Sequence, residues 1–244
     1  MPDLLREHFQ LKETIVTISA REQKHIEAAK RSIREERRHL ENFIIGDPFF
    51  MLTLEPYDLA KGADVDSAPE IVKQMVSTTA VFGIGPMAAV AGAIAKFAVE
   101  AMMNEGARFA MVDNGGDISL LNDQPVLVGI YAGASPIRDL AFEVPPRKRP
   151  LGIATSSGTV GPSISFGCAD GATVISQDPA LADAAATALG NAVQADNPLD
   201  KCFEPIDEPG IDGALVIRGE EIALWGTLPP LRRARVRAER ITRA

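Results

Sequence analysis

Apolar and polar positions recur along this chain with two periods, and each period predicts its own element. Glu13–Ser19 (ETIVTIS) is dense in β-branched residues and predicts a strand. Ala20–Ile45 is highly charged, yet it places Ile26, Ala29, Ile33, Leu40 and Ile44 near helical spacing, the pattern of a long amphipathic surface helix. Gly46–Glu55 (GDPFFMLTLE) is a turn followed by an apolar run and reads as a buried strand or packed segment. Tyr57–Ser67 reads as a loop and Pro69–Ser77 as a short helix. The glycines at 83 and 85 end one element, and Pro86 opens an Ala-rich helix that continues to about Asn104. Further strands are expected at Arg108–Asp113, Ile118–Leu121, Pro125–Tyr131, Arg138–Val144, Leu151–Ala154, Ala172–Ser176, Ala214–Ile217 and Glu221–Trp225. A second Ala-rich helix occupies the stretch Pro179–Asp196, with Asp178 as its cap and Pro179 in its first turn. Long helices mixed with strands, several of them in hairpins, indicate an α+β fold rather than a doubly wound one.

Composition narrows the function classes. The chain has 244 residues, 46% hydrophobic and 24% charged, with a formal net charge of −8. That length supports a sizeable core, read here as a single domain over 1–244 with a basic tail at 228–244. An acidic balance argues against nucleic acid as a partner. The tail, LRRARVRAERITRA from Leu231, carries six arginines and reads as a frayed or solvated terminal helix. Cys168 and Cys202 have no metal-type spacing, which favours a reducing compartment. The N-terminal residues lack the apolar core of a signal peptide, and the apolar run around Met87–Ala95 is soon followed by Lys96 and Glu100. The expectation is a cytoplasmic protein with no membrane span. A homo-oligomer is compatible with so apolar a chain.

Candidate chemistry concentrates in a few polar interruptions. Asp183 and Thr187 stand four apart, on one face of the Ala-rich helix from Pro179. A carboxylate and a hydroxyl on a buried helix require a partner. Mg²⁺ would satisfy both oxygens; backbone amides for the Asp and a back-bond to its own helix for the Thr would do so as well. Asn114-Gly115-Gly116-Asp117 predicts a tight hairpin turn, and its glycines also leave room for a ligand to approach backbone amides, with Asp117 facing the same opening. Thr155-Ser156-Ser157-Gly158, running on to Ser163, is rich in hydroxyls and glycine; it suits an oxygen-anion loop or an ordinary mobile one. Arg34, Arg37 and Arg38 read as a solvated face. The three histidines, His8, His25 and His39, all lie in the first segment, so a Ser–His nucleophile pair has no local support. Neither GxGxxG opening a helix nor a Gly-Lys-Ser/Thr phosphate loop occurs.

Taken together, GPMAAVAGAIAKFAVE, VDNGGDI, IATSSGTVGPSISFGCADGATVIS and LADAAATALGN resemble, in order and spacing, the ApbE-like superfamily of FAD:protein FMN transferases, and more closely its UPF-type branch. The resemblance runs from about residue 10 to 227. It implies an ApbE-like, T-fold-related antiparallel sheet with Ala-rich helices packed against it, and a two-part internal duplication. It also implies Mg²⁺ held by Asp183 and Thr187 with a backbone carbonyl, for which Ala95 is the candidate. An FAD or other nucleotide-like ligand would lie against Gly115, Gly116, Asp117, Thr155, Ser156, Ser157, Gly158 and Lys96. Lys96 is expected to contact a ligand phosphate or point to solvent. The transferases carry a His-x-Ile-Asp-Pro motif before the metal helix; here SISFGCADGATVIS has no histidine, and Asp170 is the one comparable acid. Two activities follow as expectations. One is Mg²⁺-dependent transfer or cleavage at a flavin or nucleotide pyrophosphate. The other is binding of a flavin- or pterin-like cofactor without turnover.

Overall fold

A computed structural model of the chain describes residues 4–62, 65–157, 167–234 and 242. In chain order these residues form β1 (Leu5–Leu11), β2 (Thr14–Ala20), α1 (Gln23–Gly46), α2 (Phe49–Leu52), α3 (Leu59–Gly62), α4 (Glu70–Ala80) and α5 (Val90–Asn104). Next come β3 (Ala110–Asn114), β4 (Asp117–Leu121), β5 (Val126–Ile130), β6 (Leu140–Val144), β7 (Leu151–Ser156) and β8 (Gly171–Ser176). The chain closes with α6 (Pro179–Ala192), β9 (Ile211–Arg218), β10 (Glu221–Gly226) and β11 (Leu231–Arg233).

Eight strands make one antiparallel sheet in the order β1-β2-β3-β4-β7-β8-β9-β10, and β11-β6-β5 make a second. Alternation along the large sheet separates two faces. Val16, Ile18 and Val112 of one half join Ile26, Ile33, Met75 and Ile94 of the helices in one core, while Val174 and Val216 join Ala182, Ala185 and Leu189 of α6 in another. The opposite face, with Leu120, Ile153 and Leu215, packs on Val128 and Phe142 of the small sheet. The molecule is therefore an α+β stack of helices, large sheet and small sheet. The order of the large sheet also exposes the duplication. β1 and β2 form a hairpin, helices cross over, and β3 and β4 follow. β7 and β8 form a hairpin, α6 crosses over, and β9 and β10 follow in the same spatial order.

Several elements depart from the pattern in the sequence. β1 was not expected; it is an edge strand whose alternate residues are only half-buried, so its apolar signal is diluted by Arg6, Glu7 and His8. Gly46–Glu55 contains no strand. Asp47 accepts a hydrogen bond from the Phe49 N–H at 3.0 Å and starts the single turn α2. Phe50 alone in α2 is buried, whereas Phe49 is 62% and Leu52 68% exposed. β7 runs two residues past Ala154, because Thr155 and Ser156 pair with Thr173 and Ala172 of β8. The tail starts with a strand, not a helix: Leu231–Arg233 pairs with Leu140–Phe142 of β6. Pro86–Asn104 is long and apolar enough, by length and composition, to cross a membrane, despite Lys96 and Glu100. Here it is a core helix packed on α1, α6 and β3. Cys168 and Cys202 are both free thiols.

Candidate functional site

The site forms where α5 and α6 cross over the β3–β4 hairpin. Gly92 permits the crossing: a Cβ there would stand 2.3 Å from the Pro179 carbonyl oxygen and 2.7 Å from the Asp183 Cβ. The absence of a side chain lets the two helix backbones approach at this point. Gly152 on β7 makes the matching accommodation beneath α6, where a Cβ would lie 2.5 Å from the Pro179 Cα. Asp183 is thereby pressed against the first turn of α5, and its Oδ2 accepts the Gly92 N–H at 2.8 Å. The backbone facing Asp183 is the Ala91–Gly92 segment. Ala95 lies one turn further along, fully buried within α5. Asn114, at the end of β3, donates from its Nδ2 to the Ala91 carbonyl at 3.1 Å and joins the hairpin to the same turn.

The hairpin turn is as tight as its residues imply. Asn114 pairs with Asp117, and Gly115 and Gly116 between them have φ of 71° and 111°, which favour glycine. Asp113 Oδ1 accepts the Gly116 N–H at 3.0 Å. A Cβ on Gly116 would reach within 3.6 Å of the Thr155 carbonyl oxygen, so the NGGD and TSS segments lie side by side at one end of the sheet. Their adjacency follows from the pairing of β4 with β7. Asp113 lies on the side of the sheet away from the helices, where the Thr242 hydroxyl donates to its Oδ2 at 2.6 Å.

Electrostatics mark two carboxyls. Burial pushes the Asp183 carboxyl up to about 7, against the pull of the Gly92 and Ala91 amides. Burial also drives Asp117 well above the ordinary carboxyl range, with the charges of Asp183 and then Asp113 adding to it and the Thr155 amide opposing. Asp117 and Asp183 are thus neighbours, from two elements that are remote in sequence. The half-buried Thr187 lies one turn along α6 on the Asp183 face, and its hydroxyl has no hydrogen-bond partner among the described residues. The back-bond to its own helix is therefore absent, whereas Asp183 does take backbone amides.

The remaining candidates divide. Ser156 and Ser157 are buried beside the turn. Thr155 is tied across the sheet, its Oγ1 2.9 Å from the Thr173 Oγ1. Gly158, with 159–163, lies outside the described residues. Lys96 Nζ donates to Asp178 Oδ2 at 2.9 Å and to Gln74 Oε1 at 2.8 Å, so it does not point freely to solvent. Asp178 also caps α6, accepting the Ala180 N–H at 2.9 Å, so this ion pair locks α4, α5 and α6 together. Asp170 is occupied too, its Oδ2 accepting the Gly219 N–H at 2.7 Å in the β9–β10 turn. From the sequence Asn114 read only as part of the hairpin turn, and the Ala91–Gly92 peptide was not singled out. The one available signal was a polar residue at a strand end, opposite a glycine-bearing helix start.

A family model described as AbpE bacteria matches residues 1–202. This chain belongs to that ApbE-like family. Its relatives include a UPF0280 protein of Methanothrix thermoacetophila, 60% identical over 240 residues, covering 98% of this chain and all of the relative. A UPF0280 protein of Methanosarcina acetivorans is 54% identical over 242 residues, covering 98% and 94%. Among solved structures, the flavin transferase ApbE from Vibrio cholerae superposes with a TM-score of 0.56 at 12% identity, covering 92% of this chain and 97% of that one. The Pseudomonas stutzeri flavinyl transferase ApbE, in its apo form, gives 0.56 at 12%, covering 93% and 94%. At that identity the likeness shows the ApbE fold. The UPF-type ApbE branch suggested by the motifs is thus the right one.

Proposed function

We propose that this ApbE-family chain binds a flavin or related nucleotide pyrophosphate together with Mg²⁺ at the crossing of α5, α6 and the β3–β4 hairpin, and acts on the pyrophosphate. The observation that carries this reading is the Asp117–Asp183 pair. The buried Asp183 carboxyl and the half-buried Asp117 carboxyl repel one another where α6 packs on β4, and with the Thr187 hydroxyl, which has no hydrogen-bond partner among the described residues, they form an oxygen donor set suited to a cation. The set fits a hard divalent ion through oxygen atoms alone. Among the described residues no group of three or more acids, histidines or cysteines could hold a metal, so the hydroxyl and a backbone carbonyl of α5, at Ala91 or Ala95, complete it. Bound there, Mg²⁺ would neutralise pyrophosphate charge and polarise a phosphoryl oxygen. The chain's own part is positioning. The backbone at Gly115 and at Ser156–Ser157 would offer N–H groups to phosphate oxygens. Asn114 holds the hairpin against α5, and Asp183 holds α6 against it. The printed activities of the structural neighbours, flavin and flavinyl transferases, support flavin as the ligand class. We place the protein in the cytoplasm.

One observation favours binding without turnover. Asp170 is committed to the β9–β10 turn, so it does not replace the missing His-x-Ile-Asp-Pro carboxylate. Incubation with FAD and Mg²⁺, followed by chromatography, separates the readings. Release of FMN or AMP that Asp183→Asn abolishes identifies an enzyme. FAD that is bound but recovered intact identifies a binding protein.

A further inference from the structure

The glycine turn of the β3–β4 hairpin is held from both faces of the sheet. On the helix side, Asn114 ties it to α5. On the opposite side the contact comes from a residue remote in sequence. Thr242, 6% exposed and well past the last strand, sits over β2 and β3. We propose that Thr242 is a positioning residue of the candidate site, fixing Asp113 and, through it, the turn that receives the ligand. The ligand part of this inference rests on the function proposed above.

Asp113 is the link. Its neighbours in β3, Val112 and Asn114, face the helices, so alternation turns the Asp113 side chain to the other face. Both of its oxygens are used there. Oδ1 accepts the Gly116 N–H at 3.0 Å, and Oδ2 accepts the Thr242 hydroxyl at 2.6 Å. With Asp113 ionised, the single Thr242 hydroxyl proton goes to it. The Thr17 hydroxyl, 2.9 Å away, therefore donates to Thr242 in turn. Thr17, Thr242, Asp113 and Gly116 thus form one chain of hydrogen bonds, whose members polarise one another. Burial raises the Asp113 carboxyl, and the Thr242 hydroxyl, the Gly116 amide and the charge of Arg6 oppose that rise.

The consequence for the site is geometric. A carboxylate bonded through one oxygen can still turn about its side-chain torsions, whereas one held at both oxygens stays in a single rotamer. Fixed in that way, Asp113 keeps the Gly116 N–H in place and with it the left-handed backbone of Gly115 and Gly116. The turn in its turn sets two distances on the ligand side. It puts Gly116 beside the Thr155 carbonyl, and it delivers the next residue, Asp117, to Asp183. Were Thr242 an anchor for the chain end and nothing more, losing its hydroxyl would lower stability and leave ligand affinity alone.

The test uses the full chain carrying ¹³C-carbonyl- and ¹⁵N-labelled glycine. Gly116 is the only glycine in the sequence that follows another glycine, so its amide is identified directly. Thr242→Val keeps the shape and removes the hydroxyl, whereas Thr242→Ser keeps the hydroxyl. Without ligand, Thr242→Val should move the Gly116 amide resonance upfield and speed its exchange with solvent about tenfold, and Thr242→Ser should restore both. With Mg²⁺ present, the FAD dissociation constant should rise about tenfold in Thr242→Val and stay near the wild-type value in Thr242→Ser. Thr17→Val, one bond further from the turn, supplies a milder variant and should give smaller changes of the same sign. A Gly116 amide that Thr242→Val leaves unmoved overturns the proposal, and so does an FAD affinity that Thr242→Val leaves intact. A wild-type chain that binds no FAD overturns the flavin reading instead, and the Gly116 amide then decides whether Thr242 holds the turn.

Discussion

At the scale of single residues, the site depends on positions where nothing larger fits. Gly92→Ala would drive a methyl into the Pro179 backbone, which cannot rotate away as a side chain could. We expect a loss near the upper end for overpacking, about 3 kcal/mol. Calorimetry should show this as a fall in melting temperature of roughly 6–12 °C. A change within about 1 °C would mean that the helices do not approach as described. Asp183 and Thr187 were legible in the sequence because a polar pair stands out from an alanine run. Asp117 was legible as part of a turn. Its proximity to Asp183 was not, since no periodicity along the chain reports which helix lies over which hairpin. The ion pair of Lys96 was hidden for a related reason: its partners Asp178 and Gln74 lie far from it in sequence, and only packing unites them.

Elements followed the apolar pattern where one face is fully buried. α1, α5 and α6 fall close to their expected spans because their stripes are deep in the core. β1 and α2 escaped because one is a half-exposed edge and the other leaves its apolar side chains outside. The attachment of β1 to α1 gives a pH-dependent prediction. Lys30 of α1 bonds Glu7 of β1, and also Glu27 at 3.0 Å. The Lys30 ammonium holds both carboxyls below their usual 4.5, and Glu7, then Glu27, hold the Lys30 amine above 10.5. Depressed acids stabilise the fold above 4.5, and that contribution is lost as pH falls through their folded values. The raised amine stabilises it below 10.5 and loses that as pH rises through its folded value. Lys30→Met should therefore lower the melting temperature most between these limits. Its difference from the wild type should narrow in acid and in strong alkali. A difference that stays constant across the range would show that the ion pairs contribute nothing.

For the whole molecule, the repeated unit of hairpin, crossover and hairpin was invisible in the sequence. One half crosses over through five helices and the other through one, so the halves share topology without sharing length. Because β4 pairs with β7, the halves complete a single sheet, and they should unfold together. Trp225, stacked on Phe203 at 6.3 Å, reports the second half, and far-UV circular dichroism is weighted toward the helices of the first. The two denaturation curves should coincide; separate midpoints would mean that the halves fold independently. The sheet also sets the central claim, because it brings Asp117 of one half beneath Asp183 of the other. Asp183→Asn keeps the shape and an oxygen to accept the Gly92 N–H, but removes the charge that a hard cation needs. The decisive measurement is the melting temperature with and without FAD and Mg²⁺, for the wild type, Asp183→Asn and Thr187→Val. FAD at about 100 times its dissociation constant stabilises by roughly 2.7 kcal/mol. We predict that increment for the wild type only when Mg²⁺ is present, a smaller one for Thr187→Val, and none for Asp183→Asn, whose unliganded melting temperature stays near that of the wild type. An Asp183→Asn protein that melts early without ligand, yet keeps the full Mg²⁺-dependent increment, would contradict the account.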